Sequence, residues 1–256
     1  GVNLNIVTKR GTNDFTGSGR YFMTDRDWQA DPTVPAEARS YLTLVNEVNH
    51  IEDYGAEIGG PIVRDRFWFW GAYAEQNVEN LASTGLPEFS PDNTYIRNLN
   101  LKLNAQLFPT NAATLVYTEN DTRKLGRGAG PQRALASTRN QGTVDTAPLI
   151  VGIPFWKIED THVFGPNLFL TAFYAENDQS FFLDPIGGRE TEMWRDQTRT
   201  YHGSYWYFDS SRLTETARAD ASAFFSAGGV NHELKFGFGY RNNPTTSVST
   251  SCSCRA

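Results

Sequence analysis

The chain has 256 residues, with 29 acidic against 23 basic side chains for a formal net charge of -6, and its 17 Phe, 11 Tyr and 6 Trp stand against only 2 Met and 2 Cys. No run approaches the roughly 18 consecutive apolar residues of a membrane-crossing helix. The acid excess, with no Lys/Arg cluster, leaves nothing to neutralise phosphates and argues against a nucleic-acid partner; the ring and aliphatic content, with Gly and Pro dispersed, excludes a disordered or low-complexity chain.

Period two dominates the sequence, and alternation puts successive side chains on opposite faces of a strand. Phe15 to Met23 sets Phe15, Gly17, Gly19, Tyr21 and Met23 against Thr16, Ser18, Arg20 and Phe22. The clearest run is Asn98 to Leu107, with Asn98, Asn100, Lys102, Asn104 and Gln106 on one face and Leu99, Leu101, Leu103, Ala105 and Leu107 on the other. Weaker runs follow at 113–118 and 168–176, and a strong one closes the series with Leu234, Phe236, Phe238 and Tyr240 opposing Glu233, Lys235, Gly237 and Gly239. Together they predict strands at about 16–25, 53–63, 67–79, 94–108, 112–123, 155–164, 168–182, 211–226 and 232–242.

The connections alternate in length. Arg64-Asp65-Arg66, Pro109-Thr110-Asn111, Gly165-Pro166-Asn167 and Gly228-Gly229-Val230-Asn231 carry the residues of tight reversals. Between them lie polar stretches near 26–52, 80–92, 124–154 and 184–210, far longer than hairpin loops. All tight turns therefore fall at one end of the meander and all long loops at the other. Outer-membrane barrels segregate short periplasmic turns from long extracellular loops in this way, and several runs reach the about 9 to 11 residues that a strand needs to cross lipid. The fold class expected is all-β: an antiparallel up-and-down meander forming part of a transmembrane outer-membrane β-barrel.

Ring placement agrees. Phe67-Trp68-Phe69-Trp70, Phe108, Phe164 and Phe169 sit beside the tight turns, while Tyr21, Tyr73, Tyr117 and Phe181-Phe182 sit toward the long loops. Two aromatic levels match two headgroup layers, so the rings are read as girdles and a lipid-facing wall.

Two segments carry a family resemblance. Gly1-Val2-Asn3-Leu4-Asn5-Ile6-Val7-Thr8-Lys9-Arg10-Gly11-Thr12-Asn13-Asp14-Phe15-Thr16-Gly17-Ser18 resembles the junction in TonB-dependent outer-membrane receptors where the last plug strand enters the first barrel strand. Tyr54 to Tyr73, with Gly59-Gly60-Pro61-Ile62, resembles a hairpin of the Oar-like subgroup, whose members carry a carboxypeptidase-regulatory-like extension; His232 to Arg241 is similar to a recurrent strand of that subgroup. The resemblance implies that residues 1–13 end a plug domain, that 14–243 supply about nine strands of a family barrel of about 22, and that 244–256 are a disordered or aberrant tail. The chain is then expected to be a fragment of a longer protein, since it opens on Gly1 without an initiator Met or a signal-peptide h-region. The partners implied are outer-membrane lipid, the TonB complex through N-terminal regions of the parent, and a solute ligand that the sequence does not identify.

No catalytic constellation emerges, and neither an enzyme, a cofactor nor a metal is expected. His50, His162, His202 and His232 stand apart, without His-x-x-x-His spacing. Asp160 and His162 share a face that Glu159 does not, which reads as a water-facing barrel wall. Gly126, Gly128 and Gly130 imitate a nucleotide loop but lack its strand-to-helix setting. Asp92-Asn93 and Asn120-Asp121 suit either a cation or solvated turns. Cys252 and Cys254 are too close in sequence for an unstrained disulfide to each other.

Three functions remain open at this point. The first is a TonB-dependent receptor moving a bulky solute, with Asn98, Asn100, Lys102, Asn104 and Gln106 facing plug or lumen and Leu99, Leu101, Leu103 and Leu107 facing lipid. The second is a structural or adhesive surface barrel without transport. The third is a soluble β-rich binding domain.

Overall fold

A computed structural model describes residues 8–30, 33–40, 45–83, 89–143 and 153–250. Its strands are β1 (Thr16–Asp25), β2 (Glu47–Val63), β3 (Phe67–Ser83), β4 (Phe89–Phe108), β5 (Asn111–Arg127), β6 (Arg139–Gly142), β7 (Ile153–Gly165), β8 (Leu168–Asp178), β9 (Phe181–Pro185), β10 (Trp194–Arg195), β11 (Tyr201–His202), β12 (Tyr207–Ala227), β13 (Val230–Asn242) and β14 (Thr245–Thr250). Nine of them, β1-β2-β3-β4-β5-β7-β8-β12-β13, run as one antiparallel meander.

Tight turns join the strands at one end. Gly228 and Gly229 both hold positive φ, 61° and 78°, the type I′ geometry that matches strand twist and that side chains resist. At the opposite end β5 and β12 extend past β7 and β8. There the far part of β5 pairs β6, β6 pairs β9, and the first residues of β12 pair both β9 and β14.

Several expectations are corrected at that loop end. The stretch 80–92 is largely strand, because β3 runs to Ser83 and β4 starts at Phe89. Residues 47–52 extend β2 and 124–127 extend β5, while 139–142 and 207–210 lie in β6 and β12. The single strand expected over 168–182 breaks after Asp178, and β9 leaves to pair β6 and β12. The tail is likewise not aberrant over Thr245–Thr250, which pairs Tyr207–Arg212 as β14. One physical reason covers these cases: beyond the lipid level the backbone ladder still saves its hydrogen bonds, but no apolar phase requires every second side chain to be hydrophobic. Residues 1–7 of the expected plug strand, and Cys252 and Cys254, lie outside the described residues.

Directly paired residues share a face, so the register fixes which way each row points. Leu99, Leu101 and Leu103 oppose Tyr73, Gly71 and Phe69 on one side and Glu119, Tyr117 and Leu115 on the other. The same face continues through Trp156 and Ile158, Leu170 and Tyr174, the alanines at 217, 219, 221 and 223, and Leu234, Phe236, Phe238 and Tyr240. It is bare: Leu101 is 44% and Phe238 73% exposed. The only buried apolar side chains among the described residues are Ala82, Leu183 and Ala221, whereas Glu119, Asp121, Arg133 and Arg139 are all buried. That inverts the arrangement of a water-soluble domain and suits a sheet whose outer solvent is hydrocarbon.

On this outer face, toward the loop end, the Tyr21 hydroxyl donates to Glu52, those of Tyr54 and Tyr73 to Glu75, and that of Tyr117 to Glu119. These are rings with one end apolar and one end wet, as an interface requires. Trp68 and Trp70, by contrast, oppose Asn104 and Lys102. They therefore belong to the inner polar face, and the reading of all rings as girdle and lipid wall is corrected there.

Candidate functional site

The polar row of β4 forms the middle of the inner wall. Asn100 accepts from the Thr118 hydroxyl at 3.0 Å and Asn104 donates to that of Thr114 at 3.0 Å. Charged pairs continue the surface sideways: Arg20 with Asp53 at 2.8 Å, Lys157 with Glu159 at 2.6 Å, and Arg218 with Asp220 at 2.6 Å. Neighbouring opposite charges on one strand face neutralise each other beside water.

The segment before β1 lies against this wall. Lys9 pairs with Glu57, which also accepts from Ser18 at 2.9 Å, and the Lys102 ammonium donates to the hydroxyl and carbonyl of Thr8 at 3.0 and 3.3 Å. Closer to the first tight turn, Asn13 donates to Asp65 at 2.6 Å and accepts from the Asp65 amide at 2.9 Å and the Trp68 indole at 2.8 Å. Gly11 permits the approach, because a Cβ there would fall 2.2 Å from the Phe69 carbonyl oxygen. Beside the segment is a hollow of about 420 Å³ bordered by Lys9, Arg20, Glu57, Trp70 and Asn100.

A second polar centre caps the loop end. Arg133 lies 3.7 Å from the ring centre of Tyr201 and 4.0 Å from that of Tyr205; Arg139 lies 4.0 Å from the same Tyr205 ring and 4.5 Å from Trp206. Rings and guanidinium groups thus alternate in one stack, each contact a favourable cation–π pairing. Thr138 and Ser204 are fully buried beneath it, and Ser137 donates to the Gly203 carbonyl at 2.9 Å. Burial pushes the pKa of both arginines down. In the β10–β11 hairpin, Asp196 meets the His202 Nε2 at 2.8 Å and is held below the ordinary carboxylate range, chiefly by that bond.

The candidates singled out by sequence are not brought together. His50 contacts Asp25 and Glu52 on the outer face, His202 lies in the cap, and His232 stacks on Phe225. Asp160 and His162 both meet Asn111 at 2.7 and 3.4 Å. They share the outer face with Ile158, beside the tight turns, whereas Glu159, their neighbour, faces inward. Asp92 pairs with Lys124 at 2.8 Å, and Asp121 with Arg123 at 3.1 Å and Arg97 at 3.7 Å. Gly126 and Gly128 hold φ of 75° and 95° in the bend from β5 into the cap.

The arginine stack was missed, although it has a signal. Between Asp121 and Asp145 the chain carries Arg123, Lys124, Arg127, Arg133 and Arg139 and no acid. Wide spacing and the overall negative charge concealed a local basic centre.

Residues 7–89 match the family described as outer membrane beta barrel domain. Over 71 residues the chain is 32% identical to the TonB-dependent transporter Oar of Myxococcus xanthus, a stretch covering 28% of this chain and 7% of that protein. The chain therefore spans only a small part of that relative's length. No solved structure matches it. With the outward apolar rows, these similarities assign the chain to the outer membrane as an all-β antiparallel sheet of the barrel type.

Proposed function

We propose that the chain is the opening part of the barrel of a TonB-dependent transporter of the Oar-like kind, which moves a bulky solute through the outer membrane and performs no catalysis. The observation that supports this reading is the docking of Thr8 to Asn13 on the inner wall, where the end of a plug must lie if a plug fills the lumen. In this reading the salt link of Lys9 to Glu57 and the bond of Lys102 to Thr8 are the latch of the plug end, and a pull delivered by TonB releases it. Latches of this sort are individually weak, because exposed ion pairs contribute at most about 1 kcal/mol, and that suits a contact made to be broken.

The test uses the full-length protein in cells. With Lys9→Cys, labelling by a membrane-impermeant maleimide should increase when TonB is present and energised and fall when TonB is deleted. Identical labelling in both strains would overturn transport and favour the second reading, a structural or adhesive surface barrel. A soluble β-rich binding domain is disfavoured by the bare outer rows, which have no counterpart surface to cover them in water.

A further inference from the structure

Among the described residues, the four guanidinium groups at or near the cap's ring stack (Arg127, Arg133, Arg139 and Arg195) make no salt bridge to a carboxylate, in a chain whose acids outnumber its bases. Arg139 is 8% exposed, and its Nε and Nη1 are buried without any hydrogen-bond partner. Arg133 is 9% exposed, and its Nη1 donates to the Ser137 carbonyl at 2.8 Å. Arg127 donates to the neutral Gln141 side chain.

Burying a cation with idle donors is costly unless an opposite charge arrives. Ring faces offset part of that cost but cannot accept the in-plane N–H groups of a guanidinium. The register adds direction. Arg139 opposes Arg127 and Pro185, and Gln141 opposes Leu183, which opposes Phe208. Phe208 is an even-numbered residue of β12, on the same face as Arg218 and Asp220, so the Arg139 side chain belongs to the inner side of the sheet and not to the lipid side. Beside Arg133 opens a hollow of about 360 Å³, bordered by Gly128, Gly130, Pro131, Gln132 and Tyr201. This is the bend that the three-glycine spacing marked in the sequence.

We propose that the Arg133–Tyr205–Arg139 stack is an oxyanion-binding site, taking a carboxylate, phosphate or sulfate group at the inner side of the extracellular cap. A guanidinium presents a planar fork of donors that matches such a group, with stronger bonds than a neutral partner allows. Both forks rest on the Tyr205 ring, each 4.0 Å from its centre, so both are ordered before the anion arrives. The site does not depend on the transport reading, since binding is measurable without TonB.

The experiment uses the full-length protein in detergent, with citrate and inorganic phosphate as probes at low millimolar concentration and constant ionic strength in chloride. Wild type should show saturable binding by calorimetry and a saturable rise in melting temperature, because a ligand bound only by the folded state stabilises it. Arg139→Gln, checked for folded migration on unheated gels, should weaken binding at least about tenfold, the value of a charge-assisted bond. Should Arg139→Gln not fold, Arg195→Gln, on the exposed β10, provides the second variant, with a smaller weakening expected. Lipid A micelles form a parallel arm: binding of lipid A with rejection of both free anions assigns the site to a lipid phosphate, whereas binding of the free anions assigns it to a solute. No saturable binding of any probe to wild type, or binding unchanged in the folded variants, overturns the proposal.

Discussion

The Lys102 ammonium on the inner wall of β4 donates at 3.0 Å to the hydroxyl of Thr8, a residue 94 positions earlier in the chain. It is the longest tie in sequence between the entering segment and the sheet among the described bonds of residues 8–13. Lys102→Met keeps the stem and removes the donor. The expected outcome is faster amide exchange across residues 8–13, with a cost of about 1 kcal/mol, and unchanged exchange in β4 itself. Hydrogen exchange read by mass spectrometry checks both.

Gly11→Ala tests the same segment through space and not charge. The added methyl would fall 2.2 Å from the Phe69 carbonyl oxygen and 2.9 Å from that of Gly60, and backbone on both sides cannot move aside cheaply. The segment should lift from the wall while the β2–β3 hairpin stays paired. Protease cleavage near residues 8–13 should rise at least about fivefold, for about 1–3 kcal/mol of lost docking; cleavage equal to wild type would show that the segment has room to shift.

Facing is tested by a matched pair of substitutions. Leu101 lies on the outer row and Asn100 on the inner one. Leu101→Arg in the full-length protein should hinder assembly by about 2–4 kcal/mol near the midplane, and Asn100→Arg should be tolerated because it meets water. Folded yield on unheated gels after membrane extraction measures each. The opposite ranking would reverse the two faces.

A pH effect is expected outside the lipid level, at the pair His50 and Asp25, which meet at 3.2 Å. The bond to Asp25 holds the imidazole pKa above its ordinary 6.5, with Glu52 contributing in the same direction. Asp25 is held below its ordinary 3.8, first by the Asp27 amide and then by His50. The histidine's contribution is therefore complete below about pH 6.5 and is lost as pH rises through its raised value. The aspartate's contribution is present above 3.8 and fades as pH falls through its lowered value. The junction of β1 and β2 should thus be tightest between those limits. Nuclear magnetic resonance titration of His50 should give a midpoint above 6.5 that returns toward it in Asp25→Asn.

Legibility in the sequence followed the solvent. Where lipid acts on one face, as from Asn98 to Leu107 or His232 to Tyr240, alternation gave strand, register parity and facing together. Where both faces are wet, as in Asn80 to Ser83, Phe89 to Asp92 or Thr245 to Thr250, polar residues looked like loop although their backbones are paired. The inward indoles of Trp68 and Trp70 were misread because a ring pattern states polarity and not direction. For Asp160 and His162 alternation gave a shared face but not which one: they lie on the outer face beside the tight turn, where Asn111 satisfies them. The cap was hidden most deeply, since its stack joins residues near 133–139 to others near 201–206 and no local period links them.

β12 has 21 residues, roughly 70 Å of extended chain at about 3.3 Å per residue. A tilted crossing uses only about 9–11 residues, so about half of this strand stands clear of the hydrocarbon, flanked by β9 and β14. It works as a mast. The rings of Tyr205 and Trp206, at the foot of the arginine stack, directly precede this strand, so the stack is carried beyond the hydrocarbon on a backbone continuous with the wall on which Arg218 and Asp220 sit.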